Sequence, residues 1–159
     1  MTKESKRLSI LSAQEINDIF ERPKFTDDER RLYFDLSASE RALVDAIHTT
    51  SVAVNLIVQL GYFKAKQLFF VYEADEISDD IRFIVTIYFP QTHWQSIKVL
   101  SKPTRLEQQR AILKLFNYSL CNNANKDELE VKAARVATIS TQPPCFCTPD
   151  KSPFRRQPS

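Results

Sequence analysis

The side chains that could carry catalysis are few and scattered. His48 and His93 lie far apart in different surroundings. Cys145-Phe-Cys147 could form half of a metal site, but no second cysteine pair and no nearby histidine completes it, and Cys121 stands alone. The acidic cluster Glu73, Asp75, Glu76, Asp79 and Asp80 lacks the glycine and the spacing of a calcium loop. It suits a helix N-terminus, where carboxylates face the positive end of the helix dipole. Gly61 is the only glycine, which excludes a glycine-rich phosphate loop. No nucleophile is accompanied by a base. The expectation is a protein that is not an enzyme and uses no cofactor and no metal.

The cations offer different chemistry. Residues 71–100 hold two basic and five acidic residues, and residues 101–140 hold seven basic and four acidic. Within the second stretch Lys102, Arg105, Arg110 and Lys114 stand against Glu107 alone, with Gln108 and Gln109 between them. Lysine and arginine contact phosphates, and arginine and glutamine read base edges. Lys102, Arg105, Gln109, Arg110 and Lys114 are therefore candidate DNA contacts. Lys64 and Lys66, which follow Gly61, Tyr62 and Phe63, make a second candidate group. An ordinary solvated helix face would show the same pattern.

Composition bounds the class. With 159 residues, 43% of them apolar, the chain can bury one real core, and a net charge of +2 does not by itself announce a nucleic-acid binder. Three cysteines, an odd number, point to a reducing compartment rather than a disulfide framework. The first residues lack the apolar run of a secretory signal, and the apolar run at 52–63 is too short to cross a membrane and is interrupted by Asn55 and Gln59. A cytoplasmic location is expected, without membrane partners.

The elements that must position these residues read as helices. Ser12, Thr26, Ser37, Thr104 and Asn125 are each followed three residues later by a glutamate, the spacing of a capping box. Helical periodicity then predicts helices to about Arg22, over 27–35, 38–48 and 51–60, and from Ile77 to Phe89 before Pro90, although Phe83-Ile-Val-Thr-Ile-Tyr88 could also be extended. Further helices are expected from Arg105 to about Leu120 and from about Lys126 to Ile139. The fourth is apolar almost all round, as the central helix of a bundle would be. Gly61 would end it in a left-handed conformation. Leu68-Phe-Phe-Val-Tyr72 has the composition of a strand but no partner strand, so an apolar connector or short helix is expected. The fold class is all-α, a compact multi-helix bundle with helix-turn-helix-like DNA-binding elements, over residues 8–140. Residues 141–159 hold five of the eight prolines and are expected to be a disordered tail.

Several segments resemble the N-terminal domain of the large replicative transposases of the Tn-three family. They are Ile10-Leu11-Ser12 through Phe20, Tyr33, Leu36-Ser37 and Glu40, and above all Gln59-Leu-Gly-Tyr-Phe-Lys-Ala-Lys-Gln-Leu-Phe-Phe70. Asp79-Asp80-Ile81, Tyr88-Phe89-Pro90, Ala133-Ala134-Arg135 and Ile139-Ser140-Thr141 follow in the same order. The resemblance covers about residues 8–142. It implies an all-helical region that binds double-stranded DNA at the transposon's terminal inverted repeats. The catalytic carboxylates of that family lie in a separate domain further along a much longer chain. Where the family often has an Asn-Arg pair entering the fourth helix, this chain has Val52-Ala53. The resemblance fades at the proline-rich tail, so the expectation is a truncated transposase whose residues after about 142 derive from a shifted frame or a degraded gene. Two rival expectations are a module that pairs with full-length transposase and an inert remnant.

Overall fold

Three of the five predicted helix starts form reciprocal caps. The Ser12, Thr26 and Ser37 side chains accept from the backbone N–H of Glu15, Glu29 and Glu40, and each glutamate accepts from the cap's own N–H. These caps open α1 (Ala13–Phe20), α2 (Asp27–Tyr33) and α3 (Ala38–Asp45). Hydrogen bonding from the cap N–H holds the carboxyls of Glu15 and Glu29 below their ordinary pKa. The other two predicted caps are not helix starts. α6 (Lys102–Leu115) is capped by Ser101 and carries Pro103 in its first turn, which leaves Thr104 inside the helix. In α7 (Asn123–Ser140) the side chain of Asn122 accepts from the N–H of Asn125 at 2.8 Å, so Asn125 also lies inside its helix.

The computed structural model describes residues 10–119 and 122–140, with side chains as far as 138. The predicted disordered tail, Cys121, Cys145 and Cys147 lie outside the described residues. The described residues fall into two units, one ending at Ser119 and one beginning at Leu120, and all are helical or irregular, without a strand. α7 belongs to the second unit. Its described side chains are exposed apart from a half-buried Asn125.

The first unit is organised around α4 (Thr50–Lys66), in which every residue from Ala53 to Phe63 is buried. α2, α3, α5 (Ser78–Tyr88) and α6 all pack against it. Val54, Ile57, Val58 and Leu60 meet Ile84 of α5 and Ile112 of α6 in one core. Each fully buried isoleucine or leucine contributes about 1.5–3 kcal/mol, so α4 supplies the largest share of the core. The same burial rules out one form of helix-turn-helix. α3 and α4 are joined by a short turn, but an enclosed α4 cannot enter a DNA groove.

Gly61 does not end this helix. α4 continues to Lys66, and the left-handed residue that stops it is Gln67, at φ 54°. Gly61 instead lets α4 lie against the ring of Phe34, which a Cβ at this position would meet at 2.4 Å. Leu68 to Tyr72 is an irregular connector, and Ile77 to Phe89 is resolved as a 3-10 turn (Asp75–Ile77) leading into helical α5.

Candidate nucleic-acid interface

α6 is fixed from beneath by polar residues of α4. Asn55, Gln59 and Tyr62 form a stripe along the apolar α4, because positions three and four apart share a helix face. Asn55 donates to the carbonyls of Ser51 at 2.7 Å and Lys98 at 2.9 Å, and accepts from the Tyr72 hydroxyl at 3.2 Å. Gln59 donates to the Gln108 side chain at 2.6 Å, and Gln108 donates onward to the Val52 carbonyl at 2.8 Å. Ile112, fully buried, completes the inner face of α6. The Val52-Ala53 pair thus serves packing: Ala53 is buried, and the Val52 carbonyl receives α6.

The predicted contacts on α6 lie on its solvent side. Lys102, Arg110 and Lys114 are exposed, and Arg105 and Gln109 are half-buried. Helical spacing puts Lys102, Arg105 and Gln109 along one flank. Arg110 lies opposite the buried face of α6, and Lys114 lies toward α3. Burial drives the Tyr72 hydroxyl pKa well above its ordinary value, partly offset by the charge of Arg105. At the N-terminus of α6 the Ser101 side chain makes no cap bond, so first-turn N–H groups remain available close to Lys102 and Arg105.

The state of the cations separates α6 from the rest of its unit. Every described basic side chain before Lys98 has a partner. Lys24, Arg30, Arg31 and Arg41 pair with carboxylates, and Arg82 lies 4.7 Å from the centre of the Trp94 ring. Arg22 donates to the Glu76 carbonyl at 3.1 Å. Among the described residues Lys98, Lys102, Arg105, Arg110 and Lys114 make no side-chain ion pair or hydrogen bond. Lys98 is exposed and joins this group, although sequence reasoning passed over it within the net-acidic window at 71–100.

Lys64 and Lys66 are not brought to this surface. Lys64 donates to the Asp35 carbonyl at 2.6 Å and pairs with buried Glu40 at 3.1 Å. Lys66 donates to the carbonyls of Asp18 and, at 3.0 Å, Glu21. Both lysines therefore act as internal anchors, and Lys66 satisfies the C-terminal end of α1. Lys66→Met should free α1 while changing global stability by less than about 1 kcal/mol, because α1 contributes no buried residue. Amide hydrogen exchange would show lost protection in Ala13–Phe20, and unchanged protection there would refute this role.

A second polar group lies deep between α2, α4 and α5. Asp80, almost fully buried, accepts from the Tyr62 hydroxyl at 2.6 Å and from Arg30 Nε at 2.8 Å. Arg30 also pairs with Asp27 at 2.8 Å. Burial opposes the charge on Arg30, but Asp80 and Asp27 outweigh it and its pKa is raised. Burial, reinforced by the Asp80 carboxylate, keeps the Tyr62 hydroxyl protonated. Arg22 reaches the same hydroxyl at a longer 3.4 Å. The predicted helix N-terminus at Asp79 and Asp80 is present, but Asp80 is turned inward as a structural acceptor. Among the described residues no cluster of acidic, histidine or cysteine side chains is arranged to hold a metal, and no helix is long and apolar enough to cross a membrane.

The described residues are thus all-α, and in the first unit α6 carries unpaired cations over a buried core. A family model described as "Domain of unknown function (DUF4158)" matches residues 10–146. The chain belongs to this family. No curated protein and no solved structure matches it.

Proposed function

We propose that this chain is the DNA-binding N-terminal portion of a transposase and recognises terminal inverted repeats through α6. One observation carries the proposal. The cations between Lys98 and Lys114 lack internal partners, while all the described ones before them are committed. A solvated face of a balanced protein pairs many of its charges locally, as α2 does with Asp27–Arg30 and Asp28–Arg31. Unpaired Lys98, Lys102, Arg105, Arg110 and Lys114, with Glu107 the only acid among them, make a local field suited to a polyanion. The resemblance of residues 59–70 to the Tn-three transposases supports the choice of transposon ends as the polyanion. The helix-turn-helix-like element of this reading would have to use α6, since α4 is enclosed.

In this reading Lys102, Arg105, Arg110 and Lys114 grip phosphates, and Gln109 reads a base edge, with adenine the base whose two groups suit its amide. Fluorescence anisotropy on a terminal-repeat duplex and a scrambled duplex, over a salt series, tests the assignment. Arg105→Ala and Arg110→Ala should each weaken both duplexes about equally and reduce the salt slope by about 1. Gln109→Ala should lower the preference for the repeat by about 1–3 kcal/mol at constant slope. Unchanged affinity and slope in both arginine variants would remove α6 from the contact surface.

A further inference from the structure

The N-terminal half of α6 is held to the bundle by polar contacts. The side chains of this helix that pack into the core, Ile112, Leu113 and Leu115, all lie in its last turn. From Lys102 to Arg110 a single residue is buried, and it is Gln108. That half nevertheless carries Lys102, Arg105, Gln109 and Arg110, four of the five proposed DNA contacts on the helix.

Apolar contact has no direction, so the packing around Ile112 would let the first turns of α6 pivot over α4. Hydrogen bonds do have direction. Gln108 accepts from the Gln59 amide at 2.6 Å and donates to the Val52 carbonyl at 2.8 Å, so one side chain is fixed to α4 through two separate groups. Asn55 of α4 also holds the Lys98 carbonyl in the connector that leads into α6. Stability alone does not account for the glutamine pair. Gln59 and Gln108 are 2% and 6% exposed, and Gln59 Oε1 is buried without a donor. Two apolar side chains of similar size would avoid that cost.

We propose that Gln59 and Gln108 are positioning residues, which set the angle of the N-terminal half of α6 and so place Arg105 and Gln109 on DNA. The effect on DNA rests on the function proposed above; the angle of the helix does not. A lysine or arginine grips phosphate without reading sequence, whereas the paired bonds of a glutamine to adenine demand one geometry. The pair therefore contributes specificity more than affinity.

Gln59→Met, Gln108→Met and the double variant test this with three measurements. In urea the double variant should unfold near the wild-type midpoint and each single below both, because each single strands the partner's amide. A double variant less stable than either single would make the pair an ordinary stabilising contact and overturn the proposal. Amide exchange over Leu106–Arg110 should be about tenfold faster or more in the double variant, with Ile112–Leu115 unchanged; unchanged exchange over Leu106–Arg110 overturns the positioning role. On the repeat and scrambled duplexes the double variant should keep the wild-type salt slope, since every cation remains, and lose about fivefold or more of the preference for the repeat. A preference retained in full overturns the link to recognition. A wild-type chain that binds the two duplexes equally, or neither, counts against the DNA reading instead, and the exchange measurement then decides the positioning role by itself.

Discussion

Asp80→Ala is expected to lower the free energy of unfolding by about 3–5 kcal/mol, the usual cost of removing one partner from a buried ion pair. The carboxylate is 3% exposed and holds two donors from different elements, the Tyr62 hydroxyl of α4 and the Arg30 guanidinium of α2. Its loss leaves the hydroxyl without an acceptor inside the core. Arg30, whose side chain is 16% exposed, keeps only Asp27, which is 83% exposed and screened by water. Asp80→Asn retains an oxygen for Arg30 or Tyr62 but not the charge, and should cost less, about 1–3 kcal/mol. Domains of this kind have about 5–15 kcal/mol in total, so the alanine variant should approach unfolding at physiological temperature. Urea titration should show the midpoint falling for both variants, alanine further, with the slope unchanged. If Asp80→Ala unfolds at the wild-type midpoint, the buried network does not hold α2 and α5 to α4.

What the sequence disclosed follows the range of each interaction. Ser12, Thr26 and Ser37 reach their glutamates three residues away, so their caps can be read locally, and the helical period gives the all-α class. Thr104 and Asn125 have the same spacing yet fail as caps, because Ser101 with Pro103, and Asn122, offer earlier starts. The polar stripe of α4 was not legible. Gln59 finds Gln108, Tyr62 finds Asp80 and Lys64 finds Glu40 across separations of 49, 18 and 24 residues, and no local rule pairs them. The same limit applies to the cations. Composition marks Lys64, Lys66 and the α6 residues alike, and only the fold shows that the first two are spent on internal acceptors. The block at 59–70 that carries the family resemblance is therefore built largely of residues that hold the bundle together. The surface that the DNA proposal uses lies elsewhere, on α6.

Gly61→Ala separates the local from the tertiary account of this residue, and a net loss of about 1–3 kcal/mol is expected. Alanine is the better helix former by about 0.8–1 kcal/mol, so in an open mid-helix position the change would stabilise. Here the new methyl would meet Phe34 Cε1 at 2.4 Å and Cδ1 at 2.5 Å, with the Tyr33 carbonyl at 3.4 Å. The ring has little room to withdraw. Phe34 is 1% exposed, and its ring centroid lies 5.4 Å from that of Phe25, 6.1 Å from Phe83 and 6.4 Å from Tyr62. Either the ring leaves its rotamer or α4 shifts away from α2, and both disturb the core around Tyr62. A shorter side chain at position 34 should absorb the methyl. Phe34→Leu alone should destabilise by leaving space in the core, whereas the double variant should lose less than the sum of the two singles, by about 1 kcal/mol or more. A glycine serving as a left-handed cap would behave otherwise. Its replacement would cost backbone strain whatever stood at position 34, and the two losses would add. Thermal unfolding of the four proteins in the cycle distinguishes the two, and strict additivity would mean that α4 does not rest on Phe34 through Gly61.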